Sequence, residues 1–256
     1  MSAQKVVLLA GDVASTPIVY ARLSKEIPIE RVLLDGPMPR MNLVKRRIKK
    51  LGYLRTAGQV AFSAAVAPLL RRTAKERIDE LLAELGDARL PENRVTRFES
   101  VNSKACIDAL RALDPDVVVV NGTRIISQEV LDSTRAIFIN MHAGLTPRYR
   151  GVHGAYWALA EGRPEDAGVT VHLVDKGIDT GAVLAQARIQ PSARDNFATY
   201  PLLQLQAGLP LLSKAVQNAL KGNVATVPSI VSAPSALWHH PTVGQYLVNR
   251  FAGRAK

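Results

Sequence analysis

A run of four valines at positions 117–120 limits the fold of this chain more than any other feature. It follows Asp114-Pro115-Asp116 and leads into Asn121-Gly122-Thr123-Arg124. Four β-branched residues without polar alternation are typical of a central strand that is buried on both faces of a parallel sheet. Ligands of open α/β sheets bind at the carboxyl ends of such strands, so the turn after Val120 is a predicted ligand-binding position.

A β-α-β unit at the start of the chain predicts the same architecture. The apolar run Val6–Ala10 ends in Gly11-Asp12, a helical stretch covers residues 15–25, and Arg31–Leu34 forms a second strand. Further strands are predicted near 94–98 and at 136–140, 169–174 and 183–189, with helices at 103–113, 152–161 and about 192–222. This alternation predicts an α/β fold with a mostly parallel sheet flanked by helices.

Three classes of protein are disfavoured by the sequence. The first turn, GDVASTP, has neither the three spaced glycines of a dinucleotide fingerprint nor a GxxxxGK[ST] phosphate loop, so we expect no NAD or ATP-hydrolysing site there. The single cysteine, Cys106, excludes an intramolecular disulfide framework, and its helical surroundings favour packing over nucleophilic chemistry. We recognise no targeting segment or membrane span and therefore expect a cytoplasmic protein.

The net charge of +11 is concentrated in one segment. Between Met38 and Arg77 there are eleven basic residues and one acidic residue, Glu76, which gives +10. The other 216 residues hold 22 basic and 21 acidic side chains, which gives +1. A nearly neutral domain with one basic segment disfavours a nucleic-acid platform over the whole surface.

Two polar segments lie at predicted strand ends. Asn140 and His142 share one face of an extended chain, where a carboxamide donor beside an imidazole base suits acyl transfer. The turn from Asp175 to Gly181, DKGIDTG, links two strands and places Asp179 at its tip. Each also has an ordinary structural interpretation, as a turn-former beside a partly buried histidine and as an Asp/Gly hairpin turn.

A third polar segment precedes a helix. Arg148, Tyr149 and Arg150 place two guanidinium groups around an aromatic ring, which suits an anionic ligand, although a solvated loop needs none. Four histidines have neither metal-ligand spacing nor a cluster of carboxylates, so we predict no metal; they are His153, His172, His239 and His240.

Taken together, these segments resemble a known family. The runs FINMHAGLTPRYRGVHGAYWALAEG and GVTVHLVDKGIDTGAVLAQ resemble the core of the 10-formyltetrahydrofolate-dependent formyltransferases. The shared pattern is Asn-x-His at a strand end, a Pro-x-(Tyr/Trp)-Arg-Gly loop, Gly-Val-Thr, and an Asp-x-Gly-(Ile/Leu)-Asp-x-Gly turn. His142 and Asp179 lie 37 positions apart, close to the family separation. The resemblance is strong over residues 115–190.

The resemblance implies a Rossmann-like formyltransferase fold and a set of site residues. Asn140, His142 and Asp179 would form the catalytic group, with 10-formyltetrahydrofolate as the formyl donor and co-substrate. The residues that would contact this cofactor are Gly122, Thr123, Arg124, Ile125, Asp175 and Gly177. Arg148, Tyr149 and Arg150 would bind the acceptor substrate. We expect a catalytic domain at 1–190, with a basic helical insert at 38–90 ending near Gly86, and a C-terminal helical extension and tail at 191–256.

Departures of this sequence from better-known members of the family narrow the choice of acceptor substrate. The glycinamide ribonucleotide enzymes resemble one another in a Gly-Ser-rich first loop, which GDVASTP does not match. Methionyl-tRNA formyltransferases carry a C-terminal barrel of about 100 residues, more than the 66 that follow position 190. We therefore expect a nucleotide-sugar N-formyltransferase that acts on a GDP-, dTDP- or UDP-linked amino sugar for surface polysaccharide (lipopolysaccharide O-antigen) synthesis. A methionyl-tRNA-type formyltransferase, a formyltetrahydrofolate hydrolase and a non-catalytic binding protein are the alternatives.

The basic segment has three interpretations. Val44, Ile48 and Leu51 follow helical spacing, with Arg46 and Lys49 on the opposite face. The segment is a solvated helical insert, or residues 38–77 make a peripheral contact with anionic membrane, on the inner face in a cell. In the third interpretation, its arginines reach the pyrophosphate of a nucleotide sugar. The sequence leaves open whether the protein is a homodimer.

Overall fold

Burial on both faces places the valine run at the centre of the fold. The structure, a computed structural model, describes residues 4–256. Val117, Val118 and Val119 are completely buried in a seven-stranded sheet. In chain order, the strands of the molecule are β1 (Val6–Gly11), β2 (Ile29–Asp35), β3 (Val95–Phe98), β4 (Val117–Asn121), β5 (Ile137–His142), β6 (Arg150–Gly151), β7 (Gly168–Leu173), β8 (Val183–Arg188) and β9 (Leu237–Trp238).

The sheet is parallel over most of its width. Its order is β3-β2-β1-β4-β5-β7-β8, and the first five strands in that order run parallel. β7 and β8 join as antiparallel strands at one edge, while β6 and β9 form a separate parallel pair. This confirms the predicted mostly parallel sheet. It also puts the carboxyl ends of β1, β4 and β5 side by side.

Helices cover both faces of the sheet. They are α1 (Ser15–Leu23), α2 (Arg40–Leu51), α3 (Tyr53–Ala61), α4 (Ala67–Thr73), α5 (Lys75–Leu85), α6 (Lys104–Leu113), α7 (Gln128–Leu131), α8 (Gly154–Ala160), α9 (Tyr200–Leu220) and α10 (Val243–Phe251). Residues 62–66 continue the chain from α3 to α4 as a π-helical turn. None of the helices within residues 4–256 is long and apolar enough to cross a membrane.

Alternating strand residues divide the core into two layers. Val6 and Leu8 of β1 pack with Leu209 of α9 and with α1 on one face, whereas Val7 and Leu9 pack with α6 and α7 on the other. α9 therefore belongs to the same core as the strands, although the sequence assigned it to a C-terminal extension. The buried thiol of Cys106 lies in the second layer, and burial raises its pKa to about 12, so it packs as an apolar side chain.

The predicted basic segment is mostly helical and contains α2 to α5, with a break at Gly52 between α2 and α3. The last helix ends at Leu85, and Gly86 adopts φ +88°, a conformation that favours glycine, so the predicted terminator is confirmed. A third apolar cluster joins this insert to the end of the chain. In it, Phe62 packs against Phe197 and against Tyr246 of α10, with ring centroids 4.9 and 5.4 Å apart.

In the C-terminal part, one prediction was wrong and one helix had not been predicted. The helix expected from position 192 begins at Tyr200, because Asp195 accepts from the backbone N–H of Ser192 and Thr199 accepts from that of Asn196, which fixes turns instead. The Pro-punctuated tail contains a helix, α10, whose start is stabilised by a capping box between Thr242 and Gln245.

Candidate active site

A cavity of about 780 Å³ opens at the carboxyl ends of β4 and β5. Its lining comes from the loop after β4, the end of β5, the turn between β7 and β8, helix α2 and residues 237–240 of the tail. This is the edge of the sheet where the valine run predicted a ligand. The cavity is large enough for a small molecule with two or more ring systems.

Asn140 lies two residues before the end of strand β5, opposite a histidine of β7. The strand pairing sets Asn140 across from His172, and the Asn140 Nδ2 atom lies 3.1 Å from His172 Nε2. His172 Nδ1 lies 2.7 Å from the carbonyl oxygen of Leu173, which can only accept, so Nδ1 donates. Nε2 is then the acceptor for one N–H of Asn140, which fixes the orientation of the carboxamide.

His142 ends β5 and is almost completely buried. Its Nε2 lies 2.6 Å from the carbonyl oxygen of Tyr149, so this nitrogen donates its proton to the backbone. In the neutral ring the lone pair is therefore on Nδ1, which lies 3.4 Å from Asp179 Oδ2. Burial lowers the pKa of His142 and outweighs the opposing effects of Asp179 and of the Tyr149 carbonyl. The ring is neutral near pH 7, with its basic atom directed at Asp179.

Asp179 is held by its turn in a constrained backbone conformation, with φ +51°. Its Oδ2 accepts from the backbone N–H of Gly151 at 2.9 Å, and its Oδ1 lies 3.7 Å from His172 Nε2. Burial alone raises the pKa of this carboxyl, but His172, His142 and the Gly151 N–H together hold it below its usual value. Asp179 is therefore a carboxylate that faces two imidazoles.

The rest of the turn positions Asp179. Asp175 Oδ1 accepts from the backbone N–H of Gly177 at 2.9 Å and from Thr180 Oγ1 at 2.6 Å, so this carboxylate closes the turn. Arg150 Nη1 donates to the carbonyl of Ile178 at 3.0 Å from the opposite side. Asp175 and Gly177 line the cavity, whereas Arg150 reaches the turn from behind it.

The loop after β4 forms another wall. Gly122 has φ +63°, and a Cβ on Gly11 would lie 2.2 Å from the Gly122 carbonyl oxygen, so the ends of β1 and β4 meet through glycines. Gly122, Thr123, Arg124 and Ile125 all line the cavity. The Arg124 guanidinium pairs with the buried Asp35, Nε to Oδ1 at 2.8 Å. The backbone N–H of Arg124 also donates to Asp35 Oδ2 at 2.9 Å, so the backbone carbonyl is what this residue offers to a ligand.

None of the three predicted substrate-binding residues, Arg148, Tyr149 and Arg150, lines the cavity. Tyr149 is fully buried, and its hydroxyl donates to Glu161 Oε2 at 2.9 Å. Arg148 Nη2 pairs with the same carboxylate at 3.0 Å. The prediction that Arg148, Tyr149 and Arg150 bind substrate is therefore not supported by their placement. The Pro-x-Tyr-Arg-Gly loop instead supplies the Tyr149 carbonyl to His142 and the Gly151 N–H to Asp179.

Other cavity residues were not assigned a role from the sequence. His172 is one, although it lies near the end of β7 just as Asn140 and His142 lie near the end of β5. His153 and His240 form another pair, Nε2 to Nδ1 at 3.0 Å. Burial, together with the charge of Arg47, lowers the pKa of His153 to about 3 and that of His240 to about 4. Within residues 4–256, no group of three histidine, cysteine or carboxylate side chains is arranged to hold a metal ion.

Comparison with known families agrees with this geometry. Residues 63–201, just over half of the 256-residue chain, match the family model for formyl transferases. The chain belongs to the formyl transferase family. This confirms the family resemblance drawn from the Asn140, His142 and Asp179 segments, all of which lie within the matched residues.

Curated relatives of this formyl transferase are named methionyl-tRNA formyltransferases. The methionyl-tRNA formyltransferase of Kosmotoga olearia is 32% identical over 131 residues, 51% of this chain and 42% of the relative. The chain thus spans about two fifths of that curated relative.

Solved structures share the fold at low identity. The sugar N-formyltransferase from Shewanella sp FDAARGOS_354 has a TM-score of 0.56 and 17% identity, covering 96% of this chain and 86% of that one. The glycinamide ribonucleotide transformylase 1 from Symbiobacterium toebii has a TM-score of 0.56 and 16% identity, covering 88% and 92%. These structures confirm the Rossmann-like formyltransferase fold.

Proposed function

We propose that the protein transfers a formyl group from 10-formyltetrahydrofolate to the amino group of a nucleotide-linked amino sugar. The single observation that carries the proposal is the arrangement of Asn140, His142 and Asp179 at the floor of one cavity, in a chain of the formyl transferase family. GDP-, dTDP- and UDP-linked amino sugars are the candidate acceptors, and their formylation would serve surface polysaccharide synthesis.

The cavity fits a folate in size and in chemistry. Apolar side chains and the exposed backbone of a glycine-containing loop lie together there, which suits a flat ring with polar edges. Gly122 to Ile125 on one side, and Asp175 and Gly177 on the other, are the residues that would hold the pterin. When bound, 10-formyltetrahydrofolate supplies the formyl group.

Asn140 is placed to stabilise negative charge. One N–H of its carboxamide donates to His172, and the second N–H remains for the formyl oxygen, which gains charge as the amine attacks. A single positioned donor of this kind typically contributes about 10²–10³ in rate. His172 therefore acts as a positioning residue for Asn140.

His142 is placed to accept the proton of the attacking amine. Since Nε2 is committed to the Tyr149 carbonyl, Nδ1 is the basic atom, and the nearby Asp179 carboxylate stabilises the imidazolium that results. General-base assistance of this kind is typically worth about 10²–10⁴ in rate. Asp179 can then relay a proton toward the leaving nitrogen.

The preference for an anionic acceptor rests on the opposite wall. Arg46, Arg47 and Lys50 of α2 line the cavity, and residues 36–75 contain no Asp or Glu. Three cations on one helical turn repel one another, and a phosphate or pyrophosphate relieves that repulsion. A nucleotide-linked amino sugar has both an amine that can accept the formyl group and a pyrophosphate that can bind to this wall.

A tRNA-directed formyltransferase is the second candidate. The methionyl-tRNA formyltransferase relatives favour it, and the same basic wall could contact an RNA backbone. RNA binding would weaken steeply with salt, whereas binding of a small nucleotide sugar would depend on salt less strongly.

The deciding experiment incubates the protein with 10-formyltetrahydrofolate and a panel of GDP-, dTDP- and UDP-linked amino sugars. We expect formamide formation with at least one sugar, detected by mass spectrometry. Activity on charged tRNA but on no sugar would establish the second candidate instead. Formate release that needs no acceptor would indicate a formyltetrahydrofolate hydrolase.

A matched pair of variants tests the basic wall. Arg47→Gln removes a cavity-lining charge and should raise the KM for the nucleotide sugar by about tenfold, with a smaller change in kcat. Lys49→Gln removes a neighbouring exposed charge that does not line the cavity and should leave KM within about twofold. Equal effects of the two substitutions would contradict this role for the wall.

A further inference from the structure

Helices α3 and α10, together with α4, which follows α3, expose apolar side chains on the outside of the molecule. On α3 and the segment that follows it, the exposed side chains include Tyr53, Leu54, Val60 and Leu69, and on α10 they include Leu247, Val248 and Phe251. Leu54 is 88% exposed and Phe251 is 85% exposed, values more typical of lysine than of leucine or phenylalanine. We call these seven side chains the outer apolar surface.

Helices α3 and α10, which carry most of the outer apolar surface, are packed against each other. Gly58 of α3 approaches the start of α10 so closely that a Cβ at this position would lie 3.0 Å from Thr242 Cβ. On their inner sides, Phe62 and Tyr246 meet in the third apolar cluster. The inward residues of both helices therefore already have partners within the fold, and the outward apolar residues are additional.

The helices that carry this surface bear charges of one sign only. Residues 36–75 contain no Asp or Glu, and neither do residues 196–256, so none of these helices carries an acidic side chain. Arg55, Arg71, Arg72 and Arg250 are exposed on these same elements. An apolar surface on helices whose only charges are positive is complementary to a layer that combines negative charge with accessible hydrocarbon.

The combination of apolar side chains and positive charge favours an anionic lipid surface over a second copy of the chain as the partner. In a symmetric dimer formed through this surface, the basic borders of the two copies would face each other without any acidic partner, which opposes association. An anionic lipid surface offers phosphate to the arginines and acyl chains to the leucine and aromatic side chains. Since none of the helices within residues 4–256 is suited to span a bilayer, the contact would be interfacial.

We propose that the protein docks on anionic lipid membranes through the outer apolar surface and the arginines that border it. The inference does not rest on the proposed acceptor. It does have a consequence for the cavity, because α2 and Gln59 of α3 line it. Docking through α3 therefore places the cavity close to the lipid headgroups.

Co-sedimentation with vesicles tests the proposal. We expect the full chain to bind phosphatidylglycerol-containing vesicles at least about tenfold more tightly than pure phosphatidylcholine vesicles at low salt, and to be released at about 0.5 M salt. The double variant Leu54→Ser/Phe251→Ser should bind the anionic vesicles at least about tenfold more weakly. Arg71→Glu/Arg72→Glu should weaken binding similarly.

Two matched variants serve as controls. Val227→Ser changes a half-exposed apolar residue outside the outer apolar surface, and Arg135→Glu reverses an exposed charge just before β5, at the amino end of the strand. Both should bind like the unaltered protein, and unchanged circular dichroism should show that all variants are folded. Equal binding to neutral and anionic vesicles would overturn the proposal. Binding of Leu54→Ser/Phe251→Ser to anionic vesicles as tight as that of the unaltered protein would also overturn it. So would analytical sedimentation that shows a dimer of the unaltered protein and a monomer of this variant.

Discussion

At the scale of single residues, the position of the proton on His142 determines the pH dependence of activity. Burial holds the pKa of His142 below 6.5, and the proposed general base acts as the neutral ring. We therefore expect kcat/KM for formyl transfer to stay level as the pH falls from 8 to about 6.5 and to decline only below that value. An acidic limb centred at or above pH 6.5 would contradict this assignment.

The effect of removing the ring complements the pH profile. His142→Gln should lower kcat by about 10²–10⁴, and the residual activity should lack the acidic limb. If this variant kept nearly full activity, a group other than His142 would be the general base.

Residue types and spacing were sufficient to place Asn140, His142 and Asp179 at a strand end and a turn tip, and the family resemblance then marked them as the candidate catalytic group. Residue types and spacing were insufficient for His172. It faces Asn140 only because β7 pairs with β5 in one antiparallel register, and that pairing joins positions 32 apart. The displacement of Arg148 and Tyr149 toward Glu161 depends likewise on where α8 packs.

At the scale of elements, the turn between β7 and β8 depends on one guanidinium. Arg150 donates to the Ile178 carbonyl, the residue before Asp179. Arg150→Ala should let the turn relax and move Asp179 from His142, lowering kcat by about tenfold or more with a smaller change in KM. Steady-state kinetics measure both, and Arg150→Lys should recover part of kcat.

The neighbouring arginine provides the matched control for that prediction. Arg148 pairs with Glu161 outside the cavity, so Arg148→Ala should leave kcat within about twofold. If KM rose for Arg150→Ala while kcat did not change, Arg150 would be a binding residue rather than a positioning residue.

The elements also differ in how much of them the sequence encodes. Strands β1, β4 and β5 and the insert helices follow from apolar runs and periodicity. The capping box Thr-x-x-Gln at 242–245 was equally local and should have predicted α10. The β6–β9 pair could not be predicted, because two-residue strands 87 positions apart carry no periodic signal.

At the scale of the whole molecule, buried histidines make stability depend on acid. The pKa of His153 is lowered to about 3 and that of His240 to about 4, and His142 is lowered as well. Below pH 6.5 the unfolded chain binds protons that the folded protein does not, so the free energy of unfolding falls as the pH falls toward 4. Each such histidine contributes up to about 1.4 kcal/mol per pH unit.

Urea unfolding at a series of pH values measures this slope. We expect a lower unfolding midpoint at pH 5 than at pH 7, and a shallower pH dependence in His240→Asn, which removes one of the groups. A midpoint that rises on acidification would show that these imidazoles are charged in the folded protein.

The hydrogen bond from Gln59 Nε2 to the His240 carbonyl, 2.7 Å long, joins the insert to a wall made by the tail. On the ribosome the chain emerges from its amino end, so every strand of the sheet, and Asn140, His142 and Asp179 with them, precedes residues 237–240. A nascent chain that has reached residue 230 thus already carries the proposed catalytic side chains, but it lacks the wall formed by residues 237–240. Enclosure of the cavity therefore follows the synthesis of residues 237–240, after every strand of the seven-stranded sheet has been made.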